Sequence, residues 1–542
     1  MKMLGGRLAG LAAGVVAVAG LAVVAPDAGA AVRDGADDGV VSTDAGMIRG
    51  VVGERGRAFL GVPFAQAPVG ELRWRAPQQA ASWSGVRDTV SPGPLCAQNP
   101  SPAGGSPTGS TAEDCLYLNV YTPAGARPGA DLPVMVWLHG GGFVIGGGSL
   151  YDPEALADKT NSVVVTTNYR LGALGFLALP GLTAADPALN FGIQDQQAAL
   201  RWTRGNIENF GGDRDRVMLF GESAGAASVC VNLTSPRAEG LFHRAVMQSG
   251  ACAFARPGGK PVADKYARSQ KFAAKLGCPD GPAQIDCLRG KDVKDLLGPA
   301  GDENPLLSAE GWGPVVDGAV LPGDPAGRME AGKFHRMPIM LGTNRDEGRL
   351  FTYLAYGPRG ITEDEYRKLL VAMTGSEAAA NTIAGIYSTQ RYGTPVNALS
   401  AIITDTGFAF NTDRVAKAIS GRTPTYAYEF TDADAPLSPA LTDLRIGAYH
   451  GGEIQYLLTM PSTPLLNDAQ RALSTQMMGY WGNFAATGNP NRGAAVPPWP
   501  AFNVFSTPYR NLNPSGSPAT FSLGAYQLTH NLPFWKFVGA LG

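Results

Sequence analysis

A serine hydroxyl is a poor nucleophile at neutral pH unless a neighbouring base takes its proton. One serine in this chain stands where such activation can be built. Residues 217–220, Val-Met-Leu-Phe, have the composition of a short buried strand. Gly221-Glu222-Ser223-Ala224-Gly225 follows, and helical periodicity begins directly after it. A strand running through G-x-S-x-G into a helix is a nucleophile elbow. The turn is too tight for large side chains two residues either side, which accounts for Gly221 and Gly225. It lifts the Ser223 hydroxyl above the strand ends.

The chain holds five histidines that could serve as the base: His139, His243, His335, His450 and His530. His139 opens a glycine loop. His243 lies in a turn before a strand. His335 precedes a strand, on the wrong side of the sheet, and His530 lies in the C-terminal tail. His450 follows the serine, in a Gly-flanked loop after a late strand, and is the candidate base. The third member must orient the imidazole and stabilise its cation. Asp346 and Glu347 both follow the strand ending at Leu341, and their position does not choose between them. Gly140-Gly141-Gly142 lets the backbone approach a ligand with its N–H groups turned inward. Together with the amide of Ala224 these can hold the oxyanion of a tetrahedral acyl intermediate. No lysine follows in P-loop spacing, so a phosphate cradle is not supported. Gly146-Gly147-Gly148 reads as a loop supporting this wall.

These residues share one placement: each follows a short apolar run. The runs 132–138, 163–167, 217–220, 245–248, 338–341 and 426–430 have strand length and composition. Helical periodicity covers 195–210, 224–233, 264–276 and 469–487, the last ending at Gly488-Asn489-Pro490. Continuous apolar strands alternating with helices predict a mostly parallel sheet covered on both faces. Such sheets bind ligands beyond the carboxyl ends of their strands. Regions of about 257–307 and 362–420 read as mainly helical insertions.

Composition sets the wider bounds. The chain has 542 residues, 44% hydrophobic and 17% charged, with a net charge of −2. That is a globular balance, and it argues against nucleic acid as a partner because phosphate binding needs concentrated Lys and Arg. The abundance of Ala, Gly and Arg is that of a GC-rich genome. Lys2 and Arg7, the apolar stretch 8–25 and Ala28-Gly29-Ala30 read as a signal peptide cut after Ala30. The expectation is a soluble, secreted bacterial protein, residues 31–542 forming one domain, with no stable membrane insertion. Six cysteines allow fifteen pairings, and no C-x-x-C motif points to zinc or redox chemistry.

Several further segments, in order, carry a resemblance. Phe59-Leu60-Gly61-Val62-Pro63-Phe64-Ala65, Pro68-Val69-Gly70-Glu71-Leu72-Arg73-Trp74, Glu113-Asp114-Cys115-Leu116-Tyr117-Leu118-Asn119-Val120, Asn190-Phe191-Gly192-Ile193-Gln194-Asp195 and Asn209-Phe210-Gly211-Gly212-Asp213 resemble type-B carboxylesterases, the α/β-hydrolase branch that includes cholinesterases. The likeness runs from about 41 to 535. It implies an α/β-hydrolase fold: a large, mostly parallel central sheet flanked by helices, with helical insertions around an active-site gorge. It implies a serine esterase with Ser223 as nucleophile, Glu347 rather than Asp346 as acid, and His450 as base. The amides of Gly141, Gly142 and Ala224 become oxyanion donors. The family's first two disulfides fall on Cys96–Cys115 and Cys278–Cys287, while Cys230 and Cys252 lie outside the shared pattern. The expected substrate is a small neutral ester, with no metal or organic cofactor. Two competing readings are a lipase of longer-chain esters and a catalytically silent binding module.

Overall fold

The computed structural model describes residues 39–101, 105–183, 188–252, 262–298, 311–437, 446–460, 463–514 and 524–538. The expected signal segment and parts of the first helical insertion lie outside these residues.

Thirteen strands are present among them: β1 Val40–Thr43, β2 Gly46–Arg49, β3 Val51–Val52, β4 Gly56–Pro63, β5 Val86–Asp88, β6 Tyr117–Pro123, β7 Leu132–Leu138, β8 Val163–Thr167, β9 Gly212–Glu222, β10 Arg244–Gln248, β11 Ile339–Asn344, β12 Thr425–Phe430 and β13 Tyr509–Leu512. Three of them (β1, β2 and β5) form a small separate sheet. The other ten form the main sheet, in the order β13-β12-β11-β10-β9-β7-β8-β6-β4-β3. From β8 to β13 every neighbouring pair is parallel. The edge built by β6, β4 and β3 is antiparallel. This is the architecture expected of an α/β hydrolase.

The unbroken apolar runs have a simple cause. Side chains alternate across a strand, and here both faces of the sheet are covered. Val134, Val136 and Leu138 of β7 enter one core together with Val163, Leu219, Met247 and Leu341. Met135 and Trp137 enter the other, with Val164, Phe220, Val246, Met340 and Tyr428. All seven residues of β7 are buried. No helix of the described residues is long and apolar enough to cross a membrane.

Two sequence segments singled out for their family likeness turn out to be bonded to each other. Arg73 grips Glu113 in a two-toothed pair, Nε to Oε2 at 2.6 Å and Nη2 to Oε1 at 2.5 Å. Arg170, just past β8, does the same to Asp195 at 2.8 and 2.7 Å, and its own amide also donates to that carboxylate. Both pairs are nearly dry, where a planar fork matching a carboxylate fixes geometry. Asp195 sits on helix Phe191–Asn206, so the second pair ties this helix to the sheet.

Cysteines pair as Cys96–Cys115, Cys230–Cys252 and Cys278–Cys287. The middle bridge, left open by the sequence, joins helix Ala224–Thr234 to the segment after β10.

Candidate active site

Ser223 lies between β9 and helix Ala224–Thr234, with φ 55° and ψ −120°. A side-chain-bearing residue enters this region only when its surroundings force it. The forcing is visible. A Cβ on Gly225 would stand 2.0 Å from the Leu138 carbonyl oxygen, and one on Gly221 would stand 2.6 Å from the backbone of Gly225. The Ser223 amide donates to the Gln248 carbonyl at 2.9 Å, which ties the turn to β10.

His450 is buried on the loop after β12. Its Nδ1 donates to Glu347 Oε2 at 2.7 Å. Glu347 is fully buried at the start of helix Glu347–Tyr356, and its other oxygen accepts the Asn344 amide at 2.8 Å. Asp346 does different work. Its Oδ2 accepts the Ala448 amide at 3.0 Å, its own amide donates to the Ala448 carbonyl, and Arg349 pairs with Oδ1 at 2.9 Å. It therefore pins the backbone two residues before His450 without touching the imidazole.

The second imidazole nitrogen, Nε2, stands 3.2 Å from Glu222 Oε1 and makes no hydrogen bond. No hydrogen bond joins it to Ser223, the residue following Glu222. Catalytic bonds of this type often tighten only once substrate is present.

Two glutamates that carried no assigned role in the sequence complete the site. Glu453, three residues after His450, accepts from Asn344 Nδ2 at 2.5 Å and from Gln248 Nε2 at 3.3 Å. Glu222, Glu347 and Glu453 are all buried near one histidine. Burial of Glu222 pushes its pKa up to about 8, against the pull of His450. Burial and the nearby Glu347 push Glu453 to about 7. For His450, burial disfavours the cation, but Glu222 and Glu347 outweigh it and raise the pKa to about 9. The carboxylates thus favour a proton on the imidazole. The sequence signal for Glu453 was its place in His450-Gly451-Gly452-Glu453, which only the folded loop turns inward.

The glycine loop covers the serine. Gly141 and Gly142 have φ of 95° and 61°, and a Cβ on Gly140 would stand 2.6 Å from Glu222 Oε2. Among the described residues the amides of Gly141, Gly142 and Ala224 have no protein acceptor. Ala224 is buried and the two glycines are half-buried, so all three N–H groups are free to donate to a ligand. Beneath the loop, His139 stacks on Tyr169 at 4.3 Å and its Nδ1 lies 2.9 Å from the Gly140 carbonyl. That nitrogen must carry the proton, since a carbonyl only accepts. Burial lowers the His139 pKa to about 4, so the ring is a neutral support. The second glycine run is tied down by Gln98, which bonds both the amide and the carbonyl of Gly146. His335 donates to the Ser235 carbonyl at the amino end of the sheet, and His243 accepts the Val217 amide.

A ten-stranded sheet of this order, with a strained serine elbow and a buried histidine at its carboxyl edge, defines the α/β-hydrolase class. Residues 37–532 match the model of the carboxylesterase family, and the chain belongs to that family. It is 34% identical to a human protein named cocaine esterase over 505 residues, covering 89% of this chain and 87% of that protein. A rabbit cocaine esterase is 35% identical, covering 91% of this chain and 93% of its own length. The mouse pyrethroid hydrolase Ces2a is 36% identical, covering 82% of each. The chain is thus a carboxylic ester hydrolase.

Proposed function

We propose that Ser223, His450 and Glu347 hydrolyse neutral carboxylic esters through an acyl-enzyme. The observation that carries this is the position of His450, whose Nδ1 bonds Glu347 while Nε2, without a hydrogen bond, stands 3.2 Å from the carboxylate of Glu222, the residue before Ser223. Ser223 Oγ attacks the ester carbonyl carbon as its proton passes to Nε2. The oxyanion takes hydrogen bonds from the amides of Gly141, Gly142 and Ala224. The ester C–O bond breaks, and Nε2 returns the proton to the leaving alcohol. A water then gives a proton to Nε2 and attacks the acyl carbon; as the bond from that carbon to Ser223 Oγ breaks, Nε2 passes the proton to Oγ, which frees the acid and restores the serine hydroxyl. Glu347 holds the tautomer throughout and stabilises the imidazolium each time it forms.

Glu222 adds a second anion beside Nε2. A proton on Glu222 removes its pull on His450 and favours the neutral imidazole that can act as base, so the two groups titrate as a pair. The relatives named for cocaine and pyrethroids support a substrate range that is not confined to choline esters. Three disulfides fit an oxidising compartment, and we read the chain as exported after cleavage near Ala30.

Ser223→Ala removes the nucleophile and adds no bulk. It is expected to fold normally and to lose at least about 10³-fold in kcat on a p-nitrophenyl ester. It should also fail to take up a fluorophosphonate probe that labels the parent enzyme. A folded variant with near-parental turnover would sink the mechanism.

A further inference from the structure

Helix Pro395–Ile403 runs into a π-helical turn, Thr404–Ala409, and leaves it as helix Phe410–Ile419. A π turn gives up the regular i→i−4 ladder, so it needs outside support and is often placed at functional sites. This one reaches the triad twice. Thr404 Oγ1 accepts the amide of Gly348, the residue after Glu347, at 2.9 Å. The Phe408 ring lies 5.0 Å from the His450 ring and stacks at 5.7 Å on Phe351, itself 4.8 Å from His450.

Between Thr404 and Phe408 sits Asp405, buried and fully engaged. Its Oδ1 binds His530 Nδ1 at 2.7 Å, and its Oδ2 accepts from Tyr387 Oη at 2.5 Å and Asn531 Nδ2 at 3.0 Å. The other nitrogen of His530 lies 2.6 Å from Glu429 Oε1 on β12, the strand that leads toward His450. Both ring nitrogens face carboxylates, and a neutral imidazole has only one N–H to give. Burial disfavours the cation, but Glu429 and Asp405 outweigh it and raise the pKa to about 10. The ring is therefore an imidazolium bridging the π turn to the sheet.

We propose that His530 is a positioning residue for the reaction: by bridging Asp405 and Glu429 it fixes the π turn, whose Thr404 and Phe408 set the triad acid and the His450 ring. The inference rests on the triad reading above. It assigns a catalytic consequence to the C-terminal segment, whose histidine is separated from its partners by 125 and 101 residues of chain.

The test uses the purified enzyme as an intact chain. His530→Gln should retain its near-ultraviolet circular dichroism yet lose roughly 10- to 100-fold in kcat, the usual size of a small misplacement at a reacting centre. KM should stay within about twofold, as expected when only transition-state geometry is lost. The downfield proton resonance of His450 Nδ1–H on Glu347 should shift or broaden, a signature that mere loosening of the tail would not produce. Asp405→Asn should give the same losses, and the double variant no more than either single one. Leu528→Ala, on the exposed face of the same C-terminal segment, should leave kcat unchanged. A folded His530→Gln enzyme with parental kcat, an unmoved downfield proton or fully additive losses in the double variant would each overturn the proposal. Should His530→Gln not fold, Asp405→Asn decides alone: parental kcat in that variant overturns it. An inactive Ser223→Ala beside a parental His530→Gln would refute this inference while leaving the triad standing. An active Ser223→Ala would refute the triad itself.

Discussion

Adjacent carboxylates at 346 and 347 share a turn and a net charge, yet only one meets the imidazole. Glu347 bonds His450 Nδ1, while Asp346 is spent on the Ala448 backbone and Arg349. Glu347→Gln keeps the size but offers a mixed donor and acceptor to Nδ1. It should cut kcat/KM by about 10³–10⁴-fold, the cost of losing the tautomer in a triad. Asp346→Asn should stay within about tenfold in kcat/KM and show its effect in thermal stability. Steady-state kinetics and melting curves on the two variants check this; a reversed order would move the acid to Asp346. Glu222 predicts a pH effect with a definite sign. Its charge raises the His450 pKa, so removing that charge in Glu222→Gln lowers it. The acidic limb of the kcat/KM profile, which reports deprotonation of the base, should then move to lower pH by on the order of one unit. A limb that stays put or moves up would show that Glu222 does not act on His450. At this scale the sequence was partly legible. Ser223 and His450 stood out by spacing and chain order, whereas separating Glu347 from its neighbour took the family likeness. The roles of Glu453 and His530 needed the folded chain, because their partners are distant in sequence.

Elements hold these residues through close backbone approach, and glycine is the means. Gly225→Ala would drive a methyl group to 2.0 Å from the Leu138 carbonyl, where backbone on both sides blocks relaxation. The cost should reach or exceed the roughly 1–3 kcal/mol of ordinary overpacking, with activity lost as the elbow opens. Gly205, near the end of helix Phe191–Asn206, offers the contrast: no heavy atom lies within 4 Å of a Cβ built there. Gly205→Ala should raise stability by about 0.5–1 kcal/mol, and chemical denaturation of both variants against the parent measures the difference. The parallel strands were legible because burial on both faces left them continuously apolar. Their ends were less so: β9 runs from Gly212 to Glu222 rather than over 217–220, its polar opening carrying no apolar signal. The helix expected at 195–210 spans Phe191–Asn206 and passes into a 3₁₀ turn, Ile207–Phe210. Its start is set by Asn190, whose side chain bonds the Val315 carbonyl and the Asp317 carboxylate, a contact no local pattern announces. The two outer edges of the sheet escaped the sequence for a related reason. On the antiparallel edge a register shift between Phe59 and Val62 breaks the alternation of β4, and on the opposite, parallel edge β13 is four residues long with an arginine inside it.

Across the whole molecule, charge is nearly balanced, at −2 for 542 residues. Such a surface gives little long-range attraction to a cationic substrate. The segment enclosed by Cys96–Cys115 contains no Trp, Tyr or Phe, so it offers no aromatic face worth the roughly 0.5–2 kcal/mol that a ring gives a cation. A neutral butyl-type ester should therefore be turned over at least as well as its isosteric choline analogue. Paired kcat/KM measurements at two ionic strengths decide it, and a choline ester preferred tenfold or more would contradict the reading.

Six cysteines can be joined in fifteen ways, but the bonds found here run 96–115, 230–252 and 278–287, each closed before the next begins. A polypeptide delivered from its amino end meets every cysteine's partner as the next one to arrive. No bond has to wait for, or thread past, another. All three can close before residues 347 and 450, the proposed acid and base, have emerged. The nested alternatives, in which an early cysteine would wait for a late one, are absent, so the covalent frame can be in place before the proposed acid and base join Ser223.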